Sequence, residues 1–215
     1  MRRSFVAIIM ALFLSIGCAP LLMRNDSARY STKLLYVNDK FTGASLSGQS
    51  VLILPVLTER GLDTFSIFSP YRIGSLLSKN RNDLRLVLWK DFENKYLSYH
   101  DFHSLDDFYS ALYRGNVLYA QTSDSIWQAI DAHYMLVIRV KYAALIKGFY
   151  EDRRRRLSME LELWDTRAPE TVWRAEVSGF GHNDKTGDDK FIEGALLDAF
   201  SRIPGYMPIN NETDW

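Results

Sequence analysis

Leu157-Ser158-Met159-Glu160-Leu161-Glu162-Leu163-Trp164-Asp165 alternates apolar and polar side chains, and after a turn at Asp165–Glu170 the run Trp173-Arg174-Ala175-Glu176-Val177-Ser178 alternates again. Successive side chains of a strand point to opposite faces of a sheet. Each run therefore reads as a strand with one buried face. Joined by a short turn, the two read as an antiparallel meander, entered from a third strand, Tyr134 to about Ile146. On this phasing Leu157, Met159, Leu161, Leu163, Trp173, Ala175 and Val177 face the core. Trp164, in phase with Glu160 and Glu162, is expected to be more exposed.

Upstream the period changes. Val51-Leu52-Ile53-Leu54-Pro55-Val56-Leu57 is apolar on both faces, as in a strand buried on both sides. Pro55 lacks a ladder donor, so an irregularity or an open edge is expected beside it. Ser69-Pro70 reads as the cap and first residue of a helix to about Lys79, with Ile73, Leu76 and Leu77 inward. Leu84–Trp89 reads as a second strand, and Asp91–His103 as loop or irregular helix. Ser104-Leu105-Asp106-Asp107 resembles a capping box ahead of a helix carrying Phe108, Tyr109 and Leu112. Ser123 or Asp124 starts another through His133, with Ile126, Trp127 and Ile130 on one face. The last helix starts near Lys190, with Ile192, Leu196, Ala199, Phe200 and Ile203 as its stripe, and ends at Gly205. The order is β-α-β-α-α-β-β-β-α. It predicts an α/β (α+β) fold: a mixed sheet with helices packed on it, parallel crossovers in the first half and an antiparallel meander in the second.

The N-terminus follows another logic. Basic Met1-Arg2-Arg3 precedes an uncharged, mostly apolar run from Phe5 to Ile16, closed by Gly17-Cys18. These are the parts of a secretory signal. The run is too short to span a bilayer, which takes about 20 apolar residues. Leu14-Ser15-Ile16-Gly17-Cys18 resembles a bacterial lipobox, whose cysteine is acylated and becomes the new N-terminus. Gly17 fits, whereas Ser15 stands where Leu is usual. An ordinary cleaved signal and an uncleaved anchor are the alternatives. Cys18 is the only cysteine, so no intramolecular disulfide can form. Several acyl chains would hold the protein firmly where one would bind marginally. Ala19, rather than Asp, after the cysteine resembles an outer-membrane address. The expected organisation is a signal peptide over 1–17, acylated Cys18 and tether over 18–50, one α/β domain over 51–203 and a tail over 204–215. Within the tether, Leu34-Leu35-Tyr36-Val37 can form a short edge strand, which would leave the tether partly docked.

Composition narrows the function classes. The 26 basic and 26 acidic side chains balance. Losing Arg2 and Arg3 with the signal leaves the chain slightly acidic, without the basic surplus of a nucleic-acid binder. The 12 Tyr, 12 Phe and 5 Trp suit a filled α/β core or a partner-binding surface.

Val51–Leu57, the helix leading into His133–Val140, the Leu163-Trp164-Asp165 strand end and Val172-Trp173 together resemble one lipoprotein group. It includes the curli-secretion channel lipoprotein, the penicillin-binding-protein activator lipoprotein and the N-terminal domain of the Tol translocation protein. The similarity would cover about residues 51–203, with Ala168-Pro169 replacing the glycine usual in the turn. It implies non-enzymatic work in the cell envelope, with no shared catalytic residues to carry over.

Chemical motifs are sparse. His100, Asp101 and His103, with Asp106 and Asp107 nearby, have zinc-ligand types without a standard spacing. Asp184, Asp188 and Asp189 lack the calcium-loop spacing. Neither the G-x-S-x-G elbow nor the phosphate-loop pattern occurs in the chain. Hence no catalytic residue, metal or cofactor is assigned. Arg153-Arg154-Arg155-Arg156 is the strongest charge run, either a solvated hairpin end or a contact for anionic lipid or an acidic partner. Alternation places Arg155 beside Leu157 along apolar surface, its head reaching water. The leading reading is a membrane-anchored periplasmic binding or assembly lipoprotein, touching the membrane through acyl groups on Cys18. Its protein partner and oligomeric state are not specified by the sequence. The alternative is an envelope enzyme or small-ligand carrier with a site assembled from distant residues.

Overall fold

The alternating meander is the centre of a six-stranded mixed sheet. The computed structural model describes residues 28–58, 68–98, 102–114, 124–147, 153–182 and 187–205. Their strands are β1 (Arg29–Val37), β2 (Ser50–Ile53), β3 (Arg85–Leu88), β4 (Tyr134–Lys147), β5 (Arg153–Asp165) and β6 (Glu170–His182). Their helices are α1 (Gly43–Leu46), α2 (Pro70–Asn80), α3 (Trp89–Leu97), α4 (Phe102–Tyr113), α5 (Asp124–Ala129) and α6 (Asp188–Phe200). The strand order is β1-β6-β5-β4-β2-β3. β2 runs parallel to β3 and β4, whereas β4, β5, β6 and β1 pair antiparallel in turn. The expected fold class and the division into parallel and antiparallel halves both hold.

Local chemistry explains several boundaries. β2 stops at Ile53, and pairing with β4 resumes only at an isolated bridge, Leu57 to Arg139. Pro55 supplies the reason, since it has no amide hydrogen for the ladder. The Ser69 hydroxyl accepts from the Arg72 amide ahead of Pro70 at the first turn of α2, and Ile73, Leu76 and Leu77 are buried. α4 begins at Phe102, so Ser104 lies inside it rather than capping it, and its hydroxyl is 2.8 Å from that of Tyr96. Trp89–Leu97, expected as the end of a strand and then loop or irregular helix, is a helix that buries Trp89, Phe92 and Tyr96.

Helices pack on both faces of the sheet. On one face the Leu157–Leu163 and Trp173–Val177 stripes meet Ile73, Leu76 and Leu77 of α2 and Phe191, Ile192, Leu196 and Phe200 of α6. On the other, Leu52, Met135, Val137 and Trp164 pack against α3, α4 and α5. This second layer corrects the expectation for Trp164, which is 0% exposed, as is Trp173. Trp164 stacks on Trp127 of α5 at 5.9 Å between ring centroids. Trp164 does share a face with Glu160 and Glu162, but both faces of the sheet are covered at that end of the strand.

Residues 28–50, expected as tether with a short edge strand over Leu34–Val37, contribute structure of their own. All of Arg29–Val37 forms β1 along the edge of β6. The Thr32 hydroxyl donates to Asp198 of α6 at 2.6 Å. Tyr30 fills the space where a Cβ on Gly194 would lie, so this glycine lets the edge strand sit close on α6. The glycine-flanked segment read as linker contains α1, whose Thr42 side chain accepts from the Ser45 amide.

Arg81, almost fully buried, ties Gly43 and Pro204 to this frame. It donates to Pro204 O at 2.7 Å and Gly43 O at 3.3 Å, and pairs with Asp83 at 2.7 Å. Residues 204–205, expected in a loose tail, are thus fastened to α1. Gly205 turns there with φ of 74°, against Gly43.

Two measurements test this frame. Trp164→Ala and Trp173→Ala should each destabilise by about 3–5 kcal/mol in urea unfolding, and iodide should quench neither indole in the folded protein. Hydrogen bonding from Arg81 is the chief cause that holds the Asp83 carboxyl down at about 2 from its usual 3.8, aided by the Ser47 hydroxyl. A carboxyl with a depressed folded-state value stabilises the fold above its unfolded value and loses that contribution as pH falls. Unfolding curves should therefore show wild-type stability declining more steeply than that of Asp83→Asn between pH 3.8 and about 2.

Candidate functional site

The second face of the sheet changes character along its length. On β5 burial falls from Trp164 and Glu162, both buried, through half-buried Glu160 and Ser158, to exposed Arg156. On β6 it falls from half-buried Arg174 and Glu176 to exposed Ser178 and Phe180. Tyr142 on β4 is 50% exposed and Phe180 42%. Among the described residues, α3, α4 and α5 cover only one end of this face. Cross-strand register orders the rest into rows: Glu162 with Arg174 and Tyr36, Glu160 with Glu176 and Lys33, Ser158 with Ser178 and Ser31, and Arg156 with Phe180 and Arg29.

A charged cluster lies where helix cover gives way to water. Arg139 pairs with Glu162 at 2.6 Å and with Glu160 at 3.2 Å, and donates to Leu112 O near the end of α4 at 2.7 Å. A cation at a helix C-terminus is favourable. The Trp164 indole donates to Glu162 at 3.0 Å, and Arg174 Nε lies 2.6 Å from the other carboxylate oxygen. Lys141 pairs with Glu160. Burial pushes the Glu162 carboxyl up, but Arg139, Trp164 and Arg174 more than offset this and hold it below its usual value. A buried carboxylate held by two donors and a further cation is suited to bracing strands, not to exchanging protons. The sequence carried a signal for it, one arginine inside the apolar strand Tyr134–Val140, but its partners became visible only through register.

Two concavities among the described residues lie elsewhere. The larger, about 480 Å³, is lined by Ser50, Arg85, Trp127, Asp131, His133 and Arg167 among others. It opens where β2 and β3 begin, not at the carboxyl ends of parallel strands where open α/β sheets usually bind ligands. Several of its polar groups have partners within the protein: Ser50 Oγ accepts from the His133 amide, Thr166 donates to the carbonyls of Ala132 and His133, and Arg167 clamps Asp165. The smaller, about 210 Å³, lies between Pro55, Trp89, Phe102, Leu105 and Tyr109. Burial raises the Tyr109 hydroxyl, which donates to Pro55 O.

The arginine run divides. Arg153–Arg156 opens β5, facing Lys147 to Ala144 of β4. Arg155 points to the core-side face, as expected from its phase with Leu157. Its head does not reach water, however. It is 5% exposed, pairs with Asp188 of α6 at 2.7 Å and lies 5.9 Å from the Phe191 ring centre. Arg156 is exposed on the second face, its guanidinium 5.9 Å from the Phe180 ring centre. Cys18, His100, Asp101 and Asp184 lie outside the described residues. Among those described, no group of three metal-ligating side chains forms.

Removing one member of the ion cluster should expose its function as a brace. Glu162→Gln or Arg139→Met is expected to cost about 3–5 kcal/mol in chemical unfolding, because the surviving charge is stranded under the helices. Lys33→Gln, at the exposed edge, should change stability by well under about 1 kcal/mol.

Neither a family model nor a curated protein matches the chain. The fold is similar to several solved structures. A PelC dodecamer from Paraburkholderia phytofirmans has 13% identity and a TM-score of 0.44, covering 81% of this chain and 96% of that one. Lipoprotein GNA1162 from Neisseria meningitidis has 17% identity and a TM-score of 0.47, covering 70% and 94%. The LpoB C-terminal domain from Salmonella enterica has 16% identity and a TM-score of 0.34, covering 69% and 88%.

Proposed function

We propose that this chain is an exported bacterial lipoprotein, held in a cell-envelope membrane by acyl groups on Cys18, which acts as a non-enzymatic binding or assembly factor facing the periplasm. The observation that carries this reading is the position of Cys18, the only cysteine, at the end of a basic-then-apolar leader. Ala19 favours the outer membrane. No helix among the described residues is long and apolar enough to cross a membrane.

The surface supports binding more than catalysis. Glu162, the most buried carboxylate of the ion cluster, is enclosed by Arg139, Trp164 and Arg174. β1, by contrast, is an edge strand with Leu34, Leu35 and Tyr36 exposed. Such an edge can pair with an extended segment of a partner, whose alternate side chains give specificity. Anchoring would confine this edge to one membrane surface and raise its effective concentration for partners there. Synthase activation, secretion and support of a larger envelope complex all fit this mechanism. The 480 Å³ concavity favours the second reading, a small-ligand carrier.

The anchor is tested through Cys18. In cells, Cys18→Ala should leave the chain unprocessed or release it from the membrane fraction. The mature wild type should carry acyl mass on Cys18, and an unmodified Cys18 would refute the anchor.

A further inference from the structure

The exposed end of the second sheet face combines two chemistries that meet at bilayer surfaces. Arg29, Phe180 and Arg156 form one row, and Tyr142 stands in the next. All four are exposed. Arginines are attracted to anionic headgroups, and aromatic rings favour the boundary between headgroup and acyl chain. Asp188 engages Arg155 on the opposite face and so does not neutralise this row. The nearest described carboxylates on the open face, Glu160 and Glu176, lie near Arg139, Lys141 and Arg174. By register Arg154 stands one row farther out, opposite His182. Glu151 and Asp152 belong to the hairpin outside the described residues.

The same row receives the chain from its N-terminus. β1 begins at Arg29, and only residues 19–28 separate it from Cys18. Ten residues reach at most about 35 Å. From Arg156 to the turn at Asp165, β5 runs on for about 30 Å. That far end carries both signs, with Asp39, Lys40, Asp131, Arg167 and Glu170.

We propose that Arg29, Arg156, Phe180 and Tyr142 form a membrane-contact surface that rests on anionic phospholipid. It would orient the anchored domain so that the Asp165–Glu170 turn and the larger concavity point away from the bilayer. This orientation rests on the Cys18 anchor, but the lipid contact itself can be read separately.

The probe is Phe180→Trp in the full chain, purified from membranes and reconstituted in vesicles containing phosphatidylglycerol and brominated phosphatidylcholine. Tyr71→Trp, on α2 across the sheet, is the control. Flotation and the mass of Cys18 report the anchor, and bromine quenching reports the contact. The expected result is quenching of the Phe180→Trp variant above the parent chain, with none added in the Tyr71→Trp control. Replacing phosphatidylglycerol with phosphatidylcholine, or raising salt, should abolish it. Arg29→Gln with Arg156→Gln should weaken the contact, at about five-fold per charge, while circular dichroism stays native. Vesicle flotation with the Phe180→Trp variant quenched no more than the control would overturn the contact and leave the anchor standing. Quenching that survives the double substitution, or that needs no anionic lipid, would overturn it too. Quenching of the Phe180→Trp indole with an unmodified Cys18 would support the contact and refute the anchor.

Discussion

The pairing of β4, β5 and β6 is the constraint on which the other elements depend. Their register brings Leu136, Leu163 and Trp173 into one row, and Ile138, Leu161 and Ala175 into the next. This apolar surface runs the length of the meander, and water must be kept from all of it. α2 and α6 meet that demand, and β1 shields the edge of β6 through Tyr30 and Thr32. Gly194 makes the close approach possible because any larger side chain would collide with Tyr30.

The opposite face obeys the same alternation with different residues. Met135, Val137 and Trp164 supply apolar area at one end, enough to hold α3, α4 and α5. Farther along, the facing positions are Glu160, Ser158 and Arg156, which water solvates well. Arg139 and Glu162 mark the transition. Two well-packed apolar groups there would serve stability as well or better, since desolvation of a buried pair offsets much of its attraction. What the charged pair adds is position. Arg139 joins β4, β5 and the last turn of α4 through Glu162, Glu160 and the Leu112 carbonyl. The helix layer is thereby tied to the sheet where its cover ends.

That unequal cover makes the two faces of the sheet unlike. One face is closed, while the other offers an open patch and an apolar edge at β1. β1 begins at the exposed end of the patch, so the proposed anchor and the exposed chemistry would coincide. A tethered binding module needs such an arrangement more than it needs a deep pocket. The fixed groups of the larger concavity, with Ser50, Thr166 and Arg167 engaged by neighbouring backbone and Asp165, agree with that view.

The sequence alone determined the strands whose side chains alternate, the α2 start at Ser69-Pro70, the break at Pro55 and the core phase of Trp173. Each depends on neighbours within a few positions, through side-chain period, ring chemistry or a capping hydroxyl. It also supplied the leader and Cys18, on which the proposed anchor depends. Tertiary structure decided the rest. Within Arg29–Val37 the apolar run Leu34–Val37 is legible as a short edge strand, whereas Arg29–Lys33 reads as tether because its pairing with β6 lies far away in the chain. Trp164 reads as exposed because its neighbours Glu160 and Glu162 are charged, but helices distant in sequence enclose it and pair Glu162 with Arg139. Arg155 and Arg156 are adjacent in a run of four identical residues, yet one is buried against Asp188 and the other lies open beside Phe180. Local sequence fixes which way each side chain points, whereas only the packed layers decide whether it meets another part of the protein or water.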